Sequence, residues 1–421
     1  TIIPGLPSIE VAQFYIILSI IKARTRKPEH PLFFSFPLTI LIVYLVFLLL
    51  QGFTIGISPK LNVYFRLVKI LLPLGLIYSL PRLMTKEKDY ANLFRYLFPV
   101  AFGVLAVQIF TISTGQTPMH FFGATAQDSW FARSIDEDTT YRGFFNAYIL
   151  IMTLLGALYF LAKRDNFFSF SLLVAVLVCN FFSVFLSATR SWIISFSVIG
   201  LLAMVTILKV SVKRVFALIV VGGLIIFSLS SIPIIKIQLD NAMDRVLTVE
   251  ALAKGDVTAG GTLSRLNVRG PRVMKRWAES PLTGWGFSDY FFRYSDLHVG
   301  NQNVLMHSGI IGYGLLIFFF TFFILLLWSK NRRLPADHPY KNALLAFVVV
   351  FFGWFLLHSS GFQQLGYFVL LTQGISISVF LCFAALIYHQ IDKENQAISP
   401  ESDHEKKADT LYHVADRNGW S

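Results

Sequence analysis

The chain has 421 residues, of which 55% are hydrophobic, 42 are phenylalanine and only 14% are charged, where a soluble domain carries about 25%. That leaves too little polar surface to coat a soluble globule, and a mean hydropathy of +0.62 agrees; disorder, a collagen-like chain and a disulfide-rich secreted scaffold are excluded as well. The net charge of +12 is uneven, because the tail at 389–421 holds seven acids and four bases and so leaves the rest near +15.

Eleven apolar runs follow one another, at about 6–21, 32–50, 63–80, 93–112, 144–161, 167–186, 192–208, 215–235, 304–328, 342–357 and 366–388. A spanning helix takes about 20 apolar residues. Strands of a membrane barrel would alternate polar with apolar residues, and these runs do not. The expected fold is all-α: a polytopic integral membrane protein of 11–12 transmembrane helices. N-terminal transmembrane helices fill 1–235, a long helical loop occupies 236–303, C-terminal transmembrane helices occupy 304–388, and a tail follows at 389–421.

Lys and Arg in the connections set the orientation. Lys22, Arg24, Arg26 and Lys27, then Arg82, Lys86 and Lys88, then Lys163 and Arg164, then Lys209, Lys213 and Arg214, then Lys330, Arg332, Arg333 and Lys341 fall on one side when the runs are threaded alternately. The positive-inside rule makes that side the cytoplasm, and the acidic tail joins it. Regions 113–143, 187–192, 236–303 and 358–365 then lie outside. Thr1 lies outside too, so an upstream helix is expected before it, completing twelve helices with both ends inside. No cleavable signal is evident. Cys179 and Cys382 each sit in an apolar run and read as small buried hydrophobes, not as a disulfide or metal ligands.

The outer loop at 236–303 is long enough to need a purpose. It carries nine Lys or Arg and seven Asp or Glu, and Arg265, Arg269, Arg272, Lys275 and Arg276 fall within twelve residues that hold no acid. The spacing 265, 269, 272, 276 puts four guanidiniums on one helical face, with Leu266, Val273 and Trp277 as an apolar stripe beside it. Gly270-Pro271 leaves open whether this is one helix or two. Positive charge outside runs against the topology rule and calls for an anion, and the planar fork of Arg suits phosphate oxygens. The alternative is a solvated face neutralised by acids from other loops.

Further along, Pro281-Leu282-Thr283-Gly284-Trp285-Gly286-Phe287 makes a turn, and His298 follows within a dozen residues of it. A neutral imidazole accepts a proton from a hydroxyl near pH 7, and neighbouring arginines keep it neutral; the alternative is a merely exposed loop histidine. Arg190 lies in the tight connection Ser187-Ala188-Thr189-Arg190-Ser191-Trp192, at headgroup depth, as an anion ligand or a snorkelling anchor. Glu10, Arg66, Lys69 and Lys236 lie in the outer third of apolar runs and suggest a wet, cationic cavity opening outwards. Asp136-Glu137-Asp138 reads as a solvated charge run rather than a cation site. His307 and His358 read as interfacial polar groups, and neither a Walker loop nor a dinucleotide fingerprint is present.

Four segments, in this order, resemble the O-antigen ligase and O-antigen polymerase superfamily. They are Arg142-Gly143-Phe144-Phe145-Asn146-Ala147-Tyr148 opening a helix, Ser-Ala-Thr-Arg at 187–190 in place of a Thr-x-Ser-Arg hairpin, the Pro-x-x-Gly-x-Gly turn at 281–286, and His298 followed by Gly309-x-x-Gly312. Arg293 with Leu297 resembles a ligase Arg-x-x-x-Leu element. The family carries Asn after the histidine, where this chain has Val299; the polar run Gly300-Asn301-Gln302-Asn303 is the replacement source of an amide. The resemblance spans about residues 142–327.

It implies a GT-C-like glycosyltransferase of the bacterial inner membrane with a periplasmic active site. The donor would be a glycan on undecaprenyl diphosphate and the acceptor a hydroxyl of lipid A-core, for a ligase, or of another lipid-linked repeat, for a polymerase. The ligase is the first choice. His298 would be the general base. Arg142, Arg190, Arg265, Arg269 and Arg272 would hold the diphosphate, with Arg66, Lys69, Arg293 and Asn303 as further substrate contacts. The reaction is expected to be inverting and metal-independent, without a cofactor. Partners would be the two lipid-linked substrates and the phospholipid bilayer, not nucleic acid. The rival from another class is a transporter or flippase of an anionic lipid, which moves its substrate without covalent change.

Overall fold

The computed structural model describes residues 11–57, 67–114, 147–164, 166–187, 190–209, 264–296, 299–358, 366–367 and 371–398, with single positions at 211, 213, 231, 236 and 240. All regular structure among them is helical. In chain order the elements are α1 (Val11–Ala23), α2 (Ser35–Ile55), a 3-10 turn (Leu72–Leu74) running into α3 (Gly75–Leu83), α4 (Glu87–Thr114), α5 (Ala147–Lys163), α6 (Phe170–Leu186) and α7 (Arg190–Leu202) with a π-helical end (Ala203–Ile207). After 209–263 come a π-helical turn (Ser264–Arg269), α8 (Gly270–Trp277), α9 (Asp289–Tyr294), α10 (Gly300–Arg333), α11 (Lys341–His358) and α12 (Leu371–Ile398).

Among the described residues four helices are long and apolar enough to cross a membrane: Ser35–Ile55, Glu87–Phe110, Gly300–Arg333 and Leu371–Asn395. Shorter apolar helices stand beside them, over Val11–Ala23, Tyr148–Lys163, Phe170–Leu186, Ser191–Ile207 and Lys341–Leu356. The chain thus has the make-up of a helical membrane protein. Val11, Phe14, Phe36, Val43, Leu50, Val178 and Leu325 point outwards, an apolar exterior that water would penalise and lipid would not. The expected run at 215–235 lies outside the described residues.

Aromatic packing holds the centre. Phe383 on α12 contacts Tyr90 and Phe94 of α4, Tyr159 of α5 and Phe347 of α11. Between apolar helices hydrophobicity supplies little selectivity, so polar ties and close approaches fix the pairing. The Gln108 amide donates to the Ser183 carbonyl (3.1 Å), Thr153 bonds Asn180 (3.0 Å) and Ser19 bonds Ser79 (3.0 Å). Cys179 and Cys382 are free and buried.

Four of the five basic connections gather at one end of this bundle. The Glu87 carboxylate accepts from Lys163 Nζ (2.5 Å), Tyr159 (2.9 Å) and Tyr340 (3.0 Å), which joins the starts of α4 and α11 to the end of α5. Lys330 pairs with Asp392, and Glu29 N donates to the Pro81 carbonyl. Helix α2 leaves this end, where Phe33 stacks on Tyr388, and reaches the opposite one, where the Gly56 carbonyl accepts from Asp289 N. Its 21 residues span about 31 Å, close to the thickness of a hydrocarbon core. Residues 264–296 therefore sit at the end away from the gathered cations.

Candidate functional site

The foundation of this end is a break in α10. Gly309 adopts φ 64°, ψ −174°, which interrupts a helix otherwise continuous from Gly300 to Arg333. A broken helix leaves carbonyls open on one side and N–H groups on the other, and in an apolar setting both must be satisfied within the protein. The 281–287 turn does this. Trp285 N donates to Met306 O (2.9 Å) and Gly286 N to His307 O (2.8 Å), while Pro281 O accepts from Ile310 N (2.9 Å) and Leu282 O from Ile311 N (3.1 Å). The fit permits no side chain at two points. Gly284 is at φ +69° with its would-be Cβ 2.6 Å from Gly309 N, and a Cβ on Gly309 would lie 2.2 Å from Leu282 O.

Helix α2 braces the assembly. Gln51 Nε2 donates to Thr283 Oγ1 (3.0 Å) and to Gly284 O (2.9 Å), and Phe287 N donates to Leu48 O (3.2 Å). Tyr44 donates to Ser308 O (2.7 Å) and Tyr367 to Gly312 O (3.1 Å). His307 is 2% exposed, between the rings of Phe287 and Phe291. It is a core residue rather than the interfacial polar group that the sequence suggests.

On this base stands the basic helix. Gly270-Pro271 does not split it: the π-helical turn at 264–269 passes directly into α8, and Pro271 occupies the first turn, where its missing N–H costs nothing. Val273 packs inwards with no exposure, as the expected stripe requires. Two acids meet this basic helix, one brought up by the tertiary structure and one three residues along the chain. Asp296, 8% exposed, pairs with Arg272 at 2.8 Å and Arg269 at 3.6 Å. Arg276 Nη1 pairs with Glu279 (2.9 Å) and donates to the Tyr290 hydroxyl (3.1 Å), and Tyr290 in turn donates to Glu279. The Tyr290 hydrogen bond, followed by the Arg276 charge, holds the Glu279 carboxyl below its ordinary range; burial and the adjoining Glu279 push Tyr290 above its own. Trp285 stacks on Tyr290 at 4.0 Å and donates to Arg276 O (2.8 Å), tying this cluster to the turn.

The three arginines 269, 272 and 276 are thus partly neutralised, and by acids of the same 236–303 stretch rather than of other loops. Yet one carboxylate between two guanidiniums leaves that pair a net positive charge, and the Arg272 side chain stays 60% exposed. The group is a cation held in place, not a discharged one.

Asp296 is itself locked. Its N–H donates to Asn303 Oδ1 (3.0 Å), and its carbonyl accepts from Asn303 Nδ2 (2.5 Å) and from Val299 N (3.0 Å). Asn303, expected among the substrate contacts, spends both ends of its amide on the Asp296 main chain and is 1% exposed. It supports the loop from behind and cannot meet substrate without giving up those bonds. Arg293 is exposed, over the ring of Tyr294 at 5.5 Å. Lys69 is half-buried near the start of the 67–71 helical segment. Arg190 opens α7, and Arg265 lies in the π-helical turn. His298, Arg142, Arg66 and the acidic triplet 136–138 lie outside the described residues. The structure therefore brings together Arg269, Arg272 and Asn303 around Asp296, two residues before His298 in sequence.

Asp296, Glu279 and Tyr290 are the residues that reading the sequence passes over. For Asp296 a signal existed: an acid beside a candidate base, in a loop facing an acid-free run of arginines. Among the described residues no group of three His, Cys, Asp or Glu side chains could hold a metal ion. Compared with known proteins, the chain matches no family model and no curated sequence.

Proposed function

We propose that the chain is a multi-pass glycosyltransferase of the bacterial inner membrane, of the O-antigen ligase and polymerase kind, with a GT-C-like helical body and its active site on the periplasmic side. The observation that carries the reading is the Asp296 node. It fixes two guanidiniums, at 2.8 and 3.6 Å, on the turn and helix at 264–277, by a carboxylate two residues before His298 in sequence, at the end of the bundle opposite the gathered basic connections.

The chemistry assigned to these residues balances as follows. The acceptor hydroxyl oxygen attacks the anomeric carbon of the lipid-linked glycan, and its proton passes to His298. The bond from that carbon to the diphosphate oxygen breaks on the opposite face, inverting the centre. The charge left on the undecaprenyl diphosphate is met by Arg269 and Arg272, joined by Arg142, Arg190 and Arg265. Arg66, Lys69 and Arg293 extend the positive field. The arginines perform the role that a divalent metal plays elsewhere, so activity is expected to persist in excess chelator.

The test is incubation of the purified protein with lipid-linked glycan and lipid A-core. Glycan on lipid A supports the ligase, and lengthened lipid-linked chains the polymerase. Substrate that crosses the bilayer unchanged, with His298→Ala still active, overturns the reading in favour of a transporter.

A further inference from the structure

A second charged cleft lies at the other end of the bundle, remote from the Asp296 node. Pro99 sits inside α4. It has no N–H to offer the carbonyl of Arg95 four residues earlier, and its ring forces the helix away from that carbonyl. Beside this point α4 meets the start of α6, and a cavity of about 250 Å³ opens between them. Arg95, Phe98, Pro99 and Phe102 form one wall, and Phe168 with Ser169 and Leu172 form the other. Phe98 and Phe168 close the floor edge to face (5.0 Å).

Among the described residues the charge of the cleft has one sign. Arg95 is its single charged lining residue; it is exposed and has no ion-pair partner among the described residues. The first turn of α6, capped by the Ser169 hydroxyl accepting from Leu172 N, adds the positive end of a 17-residue helix.

Depth identifies what can meet this charge. Arg95 lies at the start of the apolar run 93–112, on a helix long and apolar enough to cross a membrane and just past the charged Glu87-Lys88-Asp89, which places it at the boundary of the hydrocarbon core. Tyr96 beside it is 76% exposed and Phe170 across the cleft is 72% exposed, the amphipathic and aromatic belt of a lipid headgroup layer. A cation there, without an acid among the described residues to pair it, above walls of Phe, Pro and Leu, matches a molecule with an anionic phosphodiester at one end and hydrocarbon at the other.

We propose that the Arg95 cleft is a binding site for one anionic phospholipid, its phosphodiester on the Arg95 guanidinium and the start of an acyl chain along Phe98 and Phe102. The assignment does not depend on glycosyl transfer. It needs only that α4 crosses the bilayer.

The test is native mass spectrometry of the full chain in detergent, titrated with phosphatidylglycerol or phosphatidylethanolamine. Retention of phosphatidylglycerol should exceed that of phosphatidylethanolamine about fivefold, the factor one basic residue contributes at a membrane surface. Arg95→Gln should abolish the preference, while Lys88→Gln, exposed on the same helix outside the cleft, should leave it. Equal losses from both variants would reduce the effect to general surface charge and overturn the site. Inorganic phosphate should not displace the lipid; displacement would reassign the cleft to free anions. Should Arg95→Gln fail to fold, the wild-type chain still decides the matter. A photo-crosslinking phosphatidylglycerol should label peptides covering 95–102 and 167–172, and labelling spread evenly over the lipid-facing helices would overturn the proposal.

Discussion

Asp296 carries two loads that a single substitution can separate. Its side chain holds Arg269 and Arg272, while its main chain is clipped by Asn303. Asp296→Asn keeps the main-chain bonds and removes the charge. The fold should survive, and glycosyl transfer should fall on the order of ten- to a hundredfold as the guanidiniums lose their register. Steady-state kinetics with donor varied would check this, and unchanged kcat/KM would exclude Asp296 as a positioning residue. Asp296→Ala should in addition cost about 1–2 kcal/mol of stability, less than a fully buried pair would, because Arg272 remains solvated. Gly309 is a harsher case. A Cβ there meets backbone atoms of 282 and 283, which cannot swing aside, so Gly309→Ala should abolish a monodisperse peak in size-exclusion chromatography.

At the scale of elements, the outer turn and the inner carboxylate respond to pH and mutation in different ways. Glu279 titrates below its ordinary range because Tyr290 and Arg276 favour the ionised form. A depressed carboxyl contributes stability that is present above its unfolded pKa and lost as pH falls through the lower folded value. Hydrogen exchange in peptides covering 276–290 should therefore quicken on acidification below the usual carboxylate range, and Glu279→Gln should remove that dependence. At the opposite end Glu87 ties three helices through Lys163, Tyr159 and Tyr340. Both charges of the Glu87–Lys163 pair are largely buried, so Glu87→Ala removes the carboxylate that three donors share and should destabilise the protein by about 3 kcal/mol, read as a lower thermal midpoint in detergent. The break in α10 belongs to this scale too. From sequence, 304–328 reads as one apolar run with three glycines; only the docked 281–287 turn makes the interruption tolerable, by occupying the groups it frees.

For the molecule as a whole, the arrangement is two-ended, with basic connections at one end and the Asp296 node at the other. Single cysteines introduced at 272 and at 332, in a background without Cys179 and Cys382, should react with a membrane-impermeant thiol reagent from opposite sides of sealed vesicles. Reaction of both from one side would dismantle the threading. His298→Ala should abolish transfer while leaving the thermal midpoint unchanged, and Arg190→Ala and Arg265→Ala should weaken donor use. Composition and run length by themselves determined that the chain is helical and built for lipid, because a backbone in hydrocarbon must bond within its own segment. The Lys and Arg pattern likewise pointed to connections that share an end, and four of the five do so among the described residues. That Asp296 meets Arg269 and Arg272 was decided only in three dimensions: Asp296 and Arg269 are 27 positions apart, and pairing at that separation depends on how the 281–287 turn seats on Gly309. The same holds for Asn303 and His307, polar residues that local pattern assigns to a surface and that packing turns inward, and for Arg95, whose vacant side becomes visible only when α4 and α6 are set side by side.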